Sequence, residues 1–312
     1  MTLTEAEIAI VGSLHYDILV TGGDRPRKGE TVFGTGWTWK CGGKGGNQAI
    51  EAARHGASTA FVGAVGQDNF GDAMLATMGA AGVDTSSIAR VDGAGSGMSV
   101  AIFDPEGDYG AVIVPGANWK ITPQSLGAAT ALQTCRILLL QNEVRPETNL
   151  AAARVAKAQG ARVILNAAPF RDLSPELAQL VDILVVNEIE AEQLSGSGAV
   201  DDFDNAGRAA SALLALVPAV IITLGGTGLL TAARGEGQIR IAGHAVQVVS
   251  THGAGDCLIG ALGARLVLGD TLAEAARYAN AAAAVLVSTP DADRMGLRKN
   301  ATEDLLRVSL PS

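Results

Sequence analysis

Four short runs decide the fold: Arg136-Ile-Leu-Leu-Leu-Gln141, Arg162-Val-Ile-Leu-Asn166, Asp182-Ile-Leu-Val-Val186 and Ala219-Val-Ile-Ile-Thr-Leu-Gly225. Each is continuously apolar, rather than alternating, as a strand buried on both faces should be. Helical patterns lie between them at Glu147–Gln159, Asn187–Leu194 and Ala206–Leu216. Strand, helix and strand in this rhythm read as βαβ units of a parallel sheet. Upstream, Ile8–Val11 and Ala60–Val65 have the same character, so the sheet extends into the first half of the chain. The fold expected is α/β, a Rossmann-like, mostly parallel central sheet with helices on both faces.

Two segments break the rhythm. Residues 14–40 and 98–115 carry alternating patterns at Thr31-Val-Phe-Gly34, Ala101-Ile-Phe-Asp104 and Ala111-Val-Ile-Val114, with a turn signal in Asp104-Pro-Glu-Gly107. They read as hairpins outside the central sheet, forming a small β-sheet lid. Residues 1–13, 41–97 and 116–312 then make one α/β core domain, since no linker is long enough to separate two.

Composition removes several functions. The 312 residues are 48% apolar and only 18% charged, enough for a large core and unlike a disordered chain. The net charge of −9, with an isoelectric point near 5.0, offers no basic footprint for nucleic acid or an anionic membrane. Three cysteines, Cys41, Cys135 and Cys257, make neither a disulfide framework nor a zinc pattern. Cys135 reads as a core thiol. The first residues do not form a secretory signal, and the Ala-rich stretch 279–287 is too short to span a bilayer. A cytoplasmic protein is expected. The 39 glycines follow no repeat and cluster at turns.

Familiar cofactor loops are missing. No complete G-x-G-x-x-G occurs, Gly43-Lys44 is followed by Gly45 rather than Ser or Thr, and no His precedes a Glu. Two glycine motifs remain. Cys41-Gly-Gly-Lys-Gly-Gly-Asn-Gln-Ala49 leads into a helix at Asn47–His55. It is either a ligand site with Lys44 and Asn47 as polar handles, or a tight strand–helix turn with a solvated lysine. Ser250-Thr-His-Gly-Ala-Gly-Asp-Cys257 opens the apolar helix Leu258–Leu268. Small residues before a helix leave N–H groups and the positive dipole end free, which suits a phosphate. Asp256 is either a favourable first-turn acid or a base. Beside an anion site, a carboxylate is well placed only if it takes a proton from the attacking group, as phosphoryl transfer to a hydroxyl requires.

Both motifs resemble the two signatures of the ribokinase-like (phosphofructokinase B-type) carbohydrate kinases, Gly42–Ala49 the first and Thr251–Asp256 the second. Supporting stretches follow in the same order along nearly the whole chain: Gly12-Ser13 with Asp17, Gly29-Glu-Thr31, Pro115-Gly-Ala-Asn118, Gln141-Asn-Glu143, Asn187-Glu-Ile-Glu190 and Thr223-Leu-Gly225. The chain is most similar to the ribokinase branch. The resemblance implies transfer of the ATP γ-phosphate to a hydroxyl, expected to be primary, of a small sugar. Asp256 would be the base, with an anion hole at Gly253, Ala254 and Gly255. His15, Asp17, Gly43, Lys44, Asn47 and Glu143 would hold the sugar. Asn187 and Glu190, three apart on one predicted helix face, would organise Mg²⁺ through water. Thr223, Gly225, Gly228 and Asn280 would line the nucleotide, Asn280 being equally readable as a helix residue bonded to backbone.

Other readings stay open. The same fold serves nucleoside kinases, and His15, Tyr16, Trp37 and Trp39 would favour a base-bearing acceptor by stacking. A non-catalytic sugar-binding regulator is opposed by the intact Asp256, Asn187 and Glu190. Trp37 and Trp39 share a strand face and would cap substrate or, more readily, bury a homodimer interface through the lid. His55 and His244 read as ordinary loop or helix-end residues. The family commonly has Asp where Ser250 stands, as a ligand for K⁺, and residues 288–297 also depart from its pattern. Weak or absent K⁺ activation is therefore expected.

Overall fold

The four apolar runs become neighbouring strands of one sheet in the computed structural model, which describes residues 6–22, 25–104 and 109–309. In chain order the first strands are β1 Ile8–Val11, β2 His15–Thr21, β3 Gly36–Gly42, β4 Thr59–Gly66, β5 Asp84–Val91, β6 Met98–Phe103 and β7 Tyr109–Val114. The rest are β8 Ile137–Gln141, β9 Arg162–Asn166, β10 Ile183–Val186, β11 Ala219–Thr223, β12 Gly228–Ala233 and β13 Gly237–Ala242. A nine-stranded sheet runs β13-β12-β11-β10-β9-β8-β1-β4-β5, parallel from β11 to β5 and antiparallel at β12 and β13. A separate four-stranded sheet runs β3-β2-β6-β7.

The helices of the first half are α1 Lys44–Arg54, α2 Asn69–Ala80, α3 Pro123–Ala128, α4 Thr130–Thr134 and α5 Pro146–Ala158. Those of the second are α6 Pro175–Ala178, α7 Glu188–Ser195, α8 Phe203–Leu213, α9 Ala254–Val267, α10 Leu272–Ser288 and α11 Lys299–Ser309. Successive strand residues face opposite sides of the large sheet, and each side has its own core. Ile8, Ile10, Leu139 and Ile164 pack with Ala49 of α1, Leu262 of α9 and Ala279 of α10. Ala9, Val11, Leu138 and Leu140 pack with Ala152 of α5 and Leu213 of α8. Each fully buried Ile or Leu stabilises the fold by about 2 kcal/mol, which is why uninterrupted apolar runs mark this sheet so clearly. No helix among the described residues is long and apolar enough to cross a membrane.

Several details differ from the sequence expectations. Thr31–Gly34 is not a strand: its backbone lies beyond the end of β2, whose last partner is Gly36, and Phe33 is 96% exposed. The strand on that side is β3. The turn Pro105–Gly107 lies outside the described residues. Helix α8 sits three residues earlier than its apolar pattern, because Asp202 caps it by accepting from Asn205 N at 2.7 Å. The hairpin β12–β13 was not foreseen, although only four residues separate β11 from β12, too few for a helical crossover. The polar edge strand β5 also carries no apolar run.

The large sheet reverses direction of growth at β1. From β1 the chain adds β4 and β5 on one side, then returns to add β8, β9, β10 and β11 on the other. Such a switch opens a crevice at the carboxyl ends of the strands. Glu143, Asn166, Asn187 and Thr223 stand at the carboxyl ends of β8, β9, β10 and β11, all on that rim.

Candidate active site

Helices α1 and α9 pack together, and both begin at a glycine without a side-chain cap, Gly43 at φ 86° and Gly253 at φ 82°. At Gly253 the left-handed backbone turns the chain directly into α9, so the helix starts at Ala254, four residues before its apolar pattern. Asp256 therefore lies in the first turn, buried. Its two oxygens accept from α1: Asn47 Nδ2 at 3.0 Å and Gln48 Nε2 at 3.1 Å. Gln48 Nε2 also reaches Asn166 Oδ1 at 3.3 Å. Burial pushes the Asp256 carboxyl above the usual carboxylate range, and the Lys44 ammonium and these amide donors pull it back. The N–H groups of Gly253 and Gly255 have no partner among the described residues, whereas Ala254 N donates to Thr251 O at 3.2 Å. Two of the three amides expected to form an anion hole are thus without a partner among the described residues.

Two cavities meet at Asp256. The larger, about 840 Å³, lies between the small sheet and the core, with His15, Asp17, Ser99 and Glu143 on its walls. Asp17 on β2 accepts from Ser99 Oγ on β6, its register partner. Burial raises the Asp17 carboxyl above its ordinary value. Glu143 accepts from Lys44 N at 2.8 Å and from Ser13 Oγ, and lies 3.9 Å from His15 Nδ1. His15 Nε2 is buried without a hydrogen-bond partner among the described residues. The smaller cavity, about 260 Å³, is lined by Asn166, Asn187, Glu190 and Thr223 at the rim of the large sheet. Lys44, Thr251, Gly253 and Asp256 line both.

Asn187 is not on the helix, as its spacing from Glu190 suggested: it is the N-cap of α7. The two form a capping box, Glu190 N donating to Asn187 Oδ1 at 2.9 Å and Asn187 N to Glu190 Oε2 at 3.0 Å. Burial raises the Glu190 carboxyl, and Lys44 lowers it. With Asp256 and Asn166 this wall offers carboxylate and amide oxygens and neither His nor Cys, the ligand chemistry that Mg²⁺ takes.

Other expected residues lie elsewhere. Gly225, Gly228 and Asn280 line neither cavity. Gly228 begins β12, where a Cβ would fall 2.1 Å from Ile241 O, and Asn280 Nδ2 ties α10 to Ala242 O at 2.8 Å. Tyr16 and Trp39 stack on each other, centroids 4.4 Å apart and 9° from parallel, outside the large cavity. His55 ends α1 as expected, but is buried, hydrogen-bonded through Nδ1 to Tyr278 OH at 3.0 Å. It clusters with Glu51 and Cys257 behind Asp256, where Arg54 already supplies a cation to Glu51. Burial pushes the Cys41 thiol up to about 12 and holds Cys257 well above its usual value, which disfavours the thiolate at both. Cys135 is buried in the core. Sequence reasoning assigned no role to Gln48, Ser13, Ser99 or Asn166. The only signal for Gln48 was its place beside Asn47.

Residues 5–299 match the family described as pfkB family carbohydrate kinase. The chain is 36% identical over 301 residues to the ribokinase of Bacillus subtilis, covering 96% of this chain and 99% of that protein. It is 33% identical over 257 residues to the deoxyribokinase of Salmonella typhi, covering 81% and 83%. Among solved structures it resembles the Arabidopsis thaliana ribokinase complexed with ribose and ATP, with TM-score 0.90 and 30% identity over 97% of this chain and 99% of that one.

Proposed function

The chain belongs to the pfkB family of carbohydrate kinases and is an ATP-dependent sugar kinase; we propose that its acceptor is a pentose of the ribose type, phosphorylated at a primary hydroxyl. The observation that carries this reading is the position of Asp256, buried at the junction of a polar cavity under the small sheet and an oxygen-lined cavity at the strand ends. The acceptor occupies the first, held by Asp17, Asn47, Glu143 and His15. The phosphates of ATP enter the second.

Asp256 accepts the proton of the attacking hydroxyl, and the free amides of Gly253 and Gly255 at the α9 N-terminus meet charge on the transferring phosphoryl. Lys44 offsets the charge of Asp256 and Glu190. Glu190 and Asn187 would hold Mg²⁺ through water, and the ion would neutralise the phosphates as they approach these carboxylates. The small sheet covers the acceptor and excludes water that would otherwise hydrolyse ATP. Against a nucleoside acceptor, Tyr16 and Trp39 lie outside the acceptor cavity, stacked on each other.

A coupled assay of ADP release across pentoses, hexoses and nucleosides tests this. The highest kcat/KM is expected for ribose or deoxyribose. Faster turnover of a nucleoside, or no sugar-dependent ADP release, would overturn it.

A further inference from the structure

We propose that Arg294 is a positioning residue for phosphoryl transfer, a built-in cation whose guanidinium sets the direction of the amides in the anion hole. It lies in the short 3-10 turn Asp291–Gly296 after α10, outside both cavities that meet at Asp256. Its side chain is only 12% exposed. Three of its nitrogens donate to three backbone carbonyls: Nη2 to Ser250 O at 2.9 Å, Nη1 to His252 O at 2.9 Å and Nε to Thr289 O at 3.0 Å. Two of those carbonyls belong to the loop that runs into Gly253. The third anchors the guanidinium to Thr289, the residue that caps the C-terminus of α10.

The consequence follows from the planarity of the peptide. In a trans peptide unit the C=O of one residue and the N–H of the next point in opposite directions. Holding His252 O on Arg294 therefore turns Gly253 N–H the other way, and Gly253 N–H is one of the two free anion-hole amides. Between the two held carbonyls, Thr251 O turns instead to α9 and accepts from Ala254 N. The loop thus alternates between Arg294 and the helix. A guanidinium suits this role, with several donors in one rigid plane and a charge that is never lost. Converging carbonyls gathered on such a group need no added monovalent cation.

Surrounding charges keep the guanidinium in place. Asp291 Oδ1 lies 2.9 Å from Nη1, and Asp291 Oδ2 lies 4.0 Å from Lys40 Nζ on β3 of the small sheet. Burial, with the charges of Lys40 and Arg294 and against that of Asp291, holds the His252 imidazole below its ordinary value.

This inference rests on the kinase reading, and its test separates the two. Arg294→Ala and Arg294→Lys are compared with the parent in rate, amide exchange and melting. In Arg294→Ala, kcat is expected to fall about 100-fold, the scale of a lost transition-state donor, with KM for ribose within about threefold. Added guanidinium should restore kcat by about tenfold in Arg294→Ala and leave the parent unchanged. Arg294→Lys keeps the charge without the planar fork, so its kcat should fall between the two. The parent's rate should change less than about twofold when K⁺ replaces Na⁺ at constant ionic strength. Independently of turnover, hydrogen exchange at residues 251–256 should quicken about tenfold in Arg294→Ala. Unchanged exchange in that segment, or a kcat per folded molecule equal to the parent's, would overturn the role. If the parent turns over no sugar, the proposed function fails and the exchange measurement still decides what Arg294 holds.

Discussion

Burial and hydrogen bonding pull the Asp256 carboxyl in opposite directions, and burial is the larger effect. A base must be ionised to act, so activity is lost as pH falls through its pKa. Because that pKa is raised, the acid limb of kcat/KM should lie above the ordinary aspartate value of 3.8. A limb at or below that value would exclude Asp256. The same shift has a stability sign. A carboxyl whose folded pKa is raised favours the native state when protonated, and that contribution is lost as pH rises through the folded pKa. Asp256→Asn removes the loss, so its melting temperature relative to the parent should rise from acidic to neutral pH. Calorimetry at several pH values reads this, and a constant difference would contradict it. Asp256 was legible because an acid beside Gly253-Ala-Gly255 at a helix start calls for a reason. Gln48 was not: a buried amide that orients a base looks, in sequence, like any solvated helix residue.

Helix α7 shows how one pattern can carry two messages. Asn187-Glu-Ile-Glu190 is a helix-start signature as much as a ligand pair, and the structure has it close a capping box beside the smaller cavity. Glutamine serves at the same capping position, so Glu190→Gln should leave melting unchanged within about 0.5 kcal/mol. It should lower kcat about tenfold or more at fixed Mg²⁺ and shift the Mg²⁺ titration. An unaltered titration would leave Glu190 a capping residue only. Strands buried on both faces, β8 to β11, announced themselves through unbroken apolar runs. Half-exposed elements did not: in β3, Gly36–Trp39 are exposed, Lys40 and Cys41 half-buried and only Gly42 buried, so no apolar run marks the strand. Its true start at Gly36 is set by pairing with Thr21, a long-range fact absent from the local pattern.

At the scale of the molecule, the small sheet leaves apolar surface exposed: Trp37 at 69%, Val112 at 68% and Val114 at 54%. With β3 and β7 as open edges, this is the surface on which a second copy would pair. A homodimer through this sheet is expected, and light scattering at micromolar concentration checks it. Trp37→Lys should shift the population to monomer, and a monomeric parent would refute the dimer while leaving the site intact. The α/β architecture and the order of the site motifs were legible because burial and glycine-led turns write themselves locally. The junction of the two cavities was not, since it joins residues more than two hundred positions apart, Asn47 and Asp256.

The central claim is that this junction works because Asp256 takes the proton of the acceptor hydroxyl. The most direct test measures kcat for Asp256→Asn with ribose and ATP, alongside calorimetric binding of each substrate. The account predicts kcat lower by about 100-fold or more, with both affinities within about threefold of the parent's. A variant that turns over at close to the parent's rate would contradict it.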